Sequence, residues 1–186
     1  MDCYVNADFA GLWGVESDQD PVSVKSCSGY LITFMNCPLL WVSKLQSQIA
    51  LSTMESEYIA LSQSMRDLIA VREVLKEIYT IVLNDSKTQL TYRTHPKAFK
   101  EVVGKSCIPQ STVHEDNEAC LKFASMPKMS SRTKHIAIPY HFFRSKVDNL
   151  EIQIVGIDTG NQLGDQFTKA LPEAKFLTDR IRLMGW

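Results

Sequence analysis

The sequence predicts an α/β fold: a mixed five-stranded sheet, an antiparallel meander first and βα units after it, flanked by helices. Three observations carry this expectation. Three strand-like apolar runs come first, "CYVNADFAG", "SCSGYLITFM" and "CPLLWVSKL". A long stretch of helical period follows, and after it strand and helix patterns alternate. With 186 residues, 45% of them hydrophobic, the chain can close one core, so residues 1–186 are expected to form a single domain.

The second and third runs are separated only by an Asn-Cys-Pro turn, which makes them neighbours in a meander. In the next stretch Tyr58, Leu61, Met65, Leu68, Val71, Leu75, Ile78 and Val82 recur in steps of three or four, the stripe of one amphipathic helix. Ser52 with Glu55 three residues later reads as its capping box. Residues 84–110 lose periodicity and mix Pro, Gly and charge, which predicts a surface insertion with a short helix at "PKAFKEVVG". "STVHEDNEACLKFAS" then reads as a strand delivering Asp116 at its end and a helix beginning just after. "IPYHFFRSKVDN" predicts a helix, "EIQIVGID" a strand, and "NQLGDQFTKAL" a helix capped by Asn161 or Thr159 with Asp165 in its first turn.

Composition excludes several classes. No apolar run approaches the roughly 18 residues of a membrane span, and the opening residues lack the pattern of a signal peptide, so a soluble intracellular chain is expected. Five cysteines, odd in number and scattered, and four histidines without ligand spacing argue against a disulfide framework or a zinc site. A net charge of −1 is not the global signature of a nucleic-acid binder. Yet Lys122, Lys128, Arg132, Lys134, Arg144 and Lys146 lie between Cys120 and Val147 with no acid among them, which reads either as a solvated face or as a phosphate-binding stripe.

Acids stand at three distant element ends: Glu57, Asp116 and Asp165. Glu55 has the capping task, whereas Glu57, four residues before Leu61, lies over the buried stripe and either wants a cation or sits on a frayed helix end. Carboxylates converging on one sheet edge repel, and hard divalent cations with oxygen ligands relieve that repulsion. Isolated acids at helix ends also simply complement the helix dipole, so spacing alone leaves both readings open.

The strings around these acids go further. "YVNADFAG", "SGYLITF", "WVSKLQSQIALSTMESEYIAL", "EDNEAC", "SRTKHIAIPYHFFR" and "NQLGDQFTKAL" stand in the order of the ribonuclease H domain of copia-type LTR retrotransposon Pol polyproteins, which the chain resembles from Cys3 to about Leu183 outside the 84–110 stretch. The resemblance implies an RNase H-like fold, hydrolysis of the RNA strand in RNA/DNA hybrids, and two Mg2+ or Mn2+ ions as cofactors. It implies as partners the hybrid and the reverse transcriptase domain of the same polyprotein, and as location the cytoplasmic virus-like particle of the retroelement. Its second, third and fourth acids fall on Glu57, Asp116 and Asp165. The first, an Asp that bridges both cations, falls on Asn6.

Asn6 is nearly isosteric with Asp but neutral. The four acids of the family neutralise two divalent cations, whereas Asn6 leaves one positive charge over and offers a weak carbonyl ligand, so cleavage is expected to be impaired. Asp8 faces the same side as a possible rescue ligand, about 6.5 Å further along the strand. The family pattern carries an acid at both positions, so Asp8 is no compensating change. The histidine-bearing loop of cellular ribonucleases H has no counterpart in "GIDTGNQLGD", and His135 of "RTKHI" suits packing or a cap better than chemistry.

Candidate contacts to a hybrid are Gln46, Ser52, Thr53 and Asn117, each of which also suits a local cap, with Arg132 and Lys134 along the DNA strand. The alternative function is a catalytically inactive hybrid-binding module or a structural partner of the reverse transcriptase.

Overall fold

The structure, a computed structural model, describes residues 1–15, 20–84, 108–126 and 142–185. The short helix expected at 96–104, Lys128, Arg132, Lys134 and His135 lie outside the described residues. Strands β1 (Asp2–Asp8), β2 (Cys27–Phe34) and β3 (Cys37–Leu45) precede helix α1 (Thr53–Asn84). Then come β4 (Ser111–Glu115), α2 (Glu118–Ser125), α3 (Arg144–Asp148), β5 (Ile152–Gly156) and α4 (Glu173–Met184).

The five strands form one mixed sheet in the order β3-β2-β1-β4-β5. β1 runs antiparallel to β2 and β2 to β3, while β4 lies parallel to both β1 and β5. This is the expected architecture, and it is compatible with an RNase H-like fold. Met35 and Asn36, at φ 52° and 63°, make the β2–β3 turn, the two left-handed residues a tight hairpin needs.

Alternation along β1 sends Cys3, Val5 and Ala7 to the core and Asn6 to the opposite face. Tyr30 and Ile32 of β2, Val113 of β4, and Tyr58, Leu61, Met65 and Leu68 of α1 complete this core, with Cys120 and Phe123 of α2 at its side. Only the first half of the helical stripe is buried: Ile78 and Val82 are 50% and 51% exposed. The helix start is as expected, with Ser52 Oγ accepting from Glu55 N–H at 3.2 Å, but the Glu55 carboxylate reaches back to Leu51 N–H rather than to Ser52. Further along, Arg72 is 2% exposed and donates to Pro109 O and Ser111 Oγ, tying α1 to the start of β4.

"NQLGDQFTKAL" does not form the expected helix. It makes two 3-10 turns, Thr159–Asn161 and Asp165–Phe167, and the helix starts only at Glu173, after Pro172. Proline disfavours helical backbone at the residue before it, so Leu171 cannot lead a helix through this point. The cap here is Asp158, whose side chain accepts from Gly160 N–H, and neither Asn161 nor Thr159 plays that part. The helix expected over 138–149 is, among the described residues, the single turn Arg144–Asp148.

Candidate metal centre

The parallel pairing of β1 with β4 covers Asp2–Tyr4 and Thr112–His114 and then stops, so the strands part at their C-terminal ends. There β1 meets an antiparallel neighbour on one side and a parallel one on the other, the type of crevice in which α/β sheets bind ligands. Gln162, fully buried, spans the parting: its Nε2 donates to Val5 O at 2.8 Å and to His114 O at 3.3 Å. Its Oε1 accepts from Gly164 N–H, which fixes the turn leading to Asp165. Gly164 sits close against β1: a Cβ there would lie 3.1 Å from Asn6 N and from the Val5 carbonyl carbon, so a side chain would push the backbone apart by a few tenths of an ångström.

Three acids meet at this crevice. Glu57 from the second turn of α1, Glu115 from the end of β4 and Asp116 just beyond it offer carboxylate oxygens within 4.8 Å of one another. Glu57 and Glu115 are 6% and 0% exposed, and Glu57 Oε2 and Glu115 Oε2 are buried without any hydrogen-bond partner. Burial first, then the charges of Glu115 and Asp116, raise the Glu57 pKa, against the pull of Ala7 N–H. Burial likewise raises Glu115, opposed by the hydrogen bond from Asn117 N–H and reinforced by Asp116. An all-oxygen donor set with two orphaned, desolvated carboxylate oxygens fits a hard divalent cation.

Glu115 is a residue the sequence reading missed. Its signal was the alternation of the strand: Ser111, Val113 and Glu115 are the buried positions of β4, so Glu115 shares the face of Val113.

Asp165 is not in the group of three. It is 1% exposed in its 3-10 turn, with Oδ1 2.9 Å from Lys169 Nζ and Oδ2 3.7 Å from Lys175 Nζ. Lys169 escaped sequence reading too, although it stands one helical step beyond Asp165. Burial disfavours its charge, but the bond to Asp165 and the fields of Asp165, Asp116 and Asp8 outweigh this and raise its pKa. Asn6 lies beside the same turn: its Nδ2 donates to Thr168 Oγ1 at 2.6 Å, and that hydroxyl donates to Asp165 O at 3.0 Å. Asp8 lies outside the three-acid group and folds over Gly11, where a Cβ would stand 1.7 Å from Asp8 Oδ2.

The expected hybrid contacts divide. Gln46 is 1% exposed and its Nε2 donates to Ser28 Oγ and Ser56 O, so the amide braces β3's exit against α1, a local structural role. Asn117 caps α2 by accepting from Cys120 N–H at 2.9 Å, and Ser52 caps α1. Thr53 is exposed.

The fold and the site together define a mixed α/β domain with a buried carboxylate cluster, suited to a divalent cation, at the parting of two parallel strands. No protein-family model matches the chain. Its sequence is 30% identical over 173 residues to the retrovirus-related Pol polyprotein from transposon TNT 1-94 of Nicotiana tabacum, covering 93% of this chain and 10% of that protein. It is 27% and 26% identical to the retrovirus-related Pol polyproteins from transposons RE2 and RE1 of Arabidopsis thaliana, each over 95% of this chain and 10% of theirs. The chain is thus related along nearly its whole length to one segment of transposon Pol polyproteins, a tenth of their length.

Proposed function

We propose that this chain is the ribonuclease H domain of a transposon Pol polyprotein, hydrolysing the RNA strand of RNA/DNA hybrids, with cleavage depressed at Asn6. The observation that carries the reading is the pair of orphaned carboxylate oxygens of Glu57 and Glu115 beside Asp116, at the crevice between β1 and β4. Glu57, Glu115 and Asp116 would hold the metal, Mg2+ or Mn2+. Bound there, a divalent cation lowers the pKa of an attacking water and offsets charge on the phosphate. The resemblance implies two such ions; the acids gathered in the structure account for one.

Asn6 cannot supply the charge or the second oxygen that an Asp would. Its amide also donates to Thr168, a bond that a carboxylate would have to replace by turning the Thr168 hydroxyl away from Asp165 O. Strand-type rather than base-sequence selectivity follows from recognition through 2′-hydroxyls and phosphates. The reverse transcriptase domain of the same polyprotein is the expected partner.

Cleavage of a labelled RNA/DNA hybrid in Mg2+ or Mn2+ tests this reading. Asn6→Asp is expected to raise the rate on the order of a hundredfold, the scale of one electrostatic group in an active site, and Glu57→Gln to abolish it. No cleavage by either the chain or Asn6→Asp would overturn it. A second reading, a hybrid-binding module without cleavage, draws on the same Asn6–Thr168 bond, which builds a neutral residue into position 6. Hybrid affinity well above that for double-stranded DNA, with no cleavage in any variant, would select it.

A further inference from the structure

Lys169 is held where it is. Its N–H donates to Asp165 O at 3.1 Å, and the preceding residue, Thr168, is pinned against β1 by the hydrogen bond from Asn6 Nδ2. From that anchor its ammonium lies 2.9 Å from Asp165 Oδ1, in the fields of Asp116 and Asp8, and near enough to act on Glu57. Its charge therefore bears on carboxylates from β1, α1, the end of β4 and its own turn. Each oxygen of Asp165 is within ion-pair range of a lysine, Lys169 on one side and Lys175 on the other. The acid that the resemblance assigns as a fourth ligand thus already has Lys169 as an ion-pair partner, with Lys175, held more closely by Asp179 at 3.1 Å, on its other side.

We propose that Lys169 is a built-in cation of this centre, standing in for a second divalent ion, so that the chain binds one divalent cation, on Glu57, Glu115 and Asp116. The inference rests on the reading of that cluster as a metal centre. Its physical basis is charge. Position 6 contributes a neutral amide, bonded to Thr168, and no carboxylate charge that could offset a second divalent ion. A second divalent ion, about 4 Å from the first, would also have to approach an ammonium that already neutralises Asp165.

The test is Mn2+ titration of the full chain without nucleic acid, by calorimetry and by electron paramagnetic resonance, with thermal unfolding in chelator alongside. One Mn2+ per chain is expected, with affinity lost in Glu57→Gln. Lys169→Gln is expected to bind Mn2+ roughly tenfold more tightly, through removal of a nearby like charge, and to unfold at lower temperature in chelator but not in Mn2+. Lys169→Arg, which keeps the charge, is expected to follow the parent. Two equivalents in the parent would overturn the proposal. So would a Lys169→Gln variant matching the parent in both affinity and chelator stability, an outcome that leaves the metal centre itself standing. Absence of Mn2+ binding in every variant would remove the metal centre and this inference with it.

Discussion

At the scale of single residues, the consequence that matters is the burial of Glu57 and Glu115. Both carboxyls have folded pKa values above the ordinary 4.5, so the folded state holds their protons more tightly than the unfolded chain does. Stability from this source is therefore complete below pH 4.5 and is lost as pH rises from there toward the folded values. In chelator, the melting temperature is expected to fall between about pH 5 and 8, as two buried carboxyls are driven to ionise. Mn2+ is expected to flatten the slope, because a cation stabilises the ionised pair. Glu57→Gln is expected to flatten it in chelator and to remove the response to Mn2+. Calorimetric melting across that range is the check, and a melting temperature that rises with pH in chelator would contradict it.

At the scale of elements, the turn that carries Asp165, Thr168 and Lys169 docks on β2 through a glycine. A Cβ at Gly29 would lie 2.5 Å from Thr168 Cγ2 and 2.9 Å from both the carbonyl carbon and the Cβ of Phe167. Backbone atoms cannot swing aside, so the turn itself must move. Gly29→Ala is expected to destabilise the fold by about 1–3 kcal/mol, the usual cost of overpacking, as read by urea unfolding. The Asp165–Lys169 pair would shift with the turn. Gln162 is the complementary case. Gln162→Leu fills the same space but strands Val5 O and His114 O, at a cost of about 1–3 kcal/mol. Either variant staying within a few tenths of a kcal/mol of the parent would mean that the turn is held elsewhere.

At the scale of the whole molecule, charge is arranged differently from its order in the sequence. The acid-free run from Lys122 to Lys146 reads either as a solvated face or as a phosphate-binding stripe, and acids outside the run reach its ends. Lys122 pairs with Glu118, Arg144 with Asp148, and Lys146 with Glu151. Lys128, Arg132 and Lys134, the run's other cations, lie outside the described residues. Under the proposed function, phosphate contacts by these three residues are expected to make hybrid affinity fall with log salt at a slope of about −2 to −3. Arg132→Ala with Lys134→Ala is expected to lower that slope by about 2. A slope unchanged by the double variant would show that the backbone is gripped by other residues.

By itself, the sequence determined the mixed sheet, the long helix and its cap, and the segments bearing Glu57, Asp116 and Asp165, because hydrophobic period, turn chemistry and capping are local properties. Gly164 inside "NQLGDQFTKAL" and Pro172 just after it are equally local signals against one continuous helix there. Which side chains share a site was not local. Only the tertiary structure decided that Glu115 joins Glu57 and Asp116, that Gln46 turns inward, and that Asp165 faces lysines while Asn6 bonds Thr168. Apart from the local Asp165–Lys169 pair, those pairings cross between elements distant in the chain, and they are set by where β1 and β4 part and by how closely a glycine lets the last turn approach the sheet.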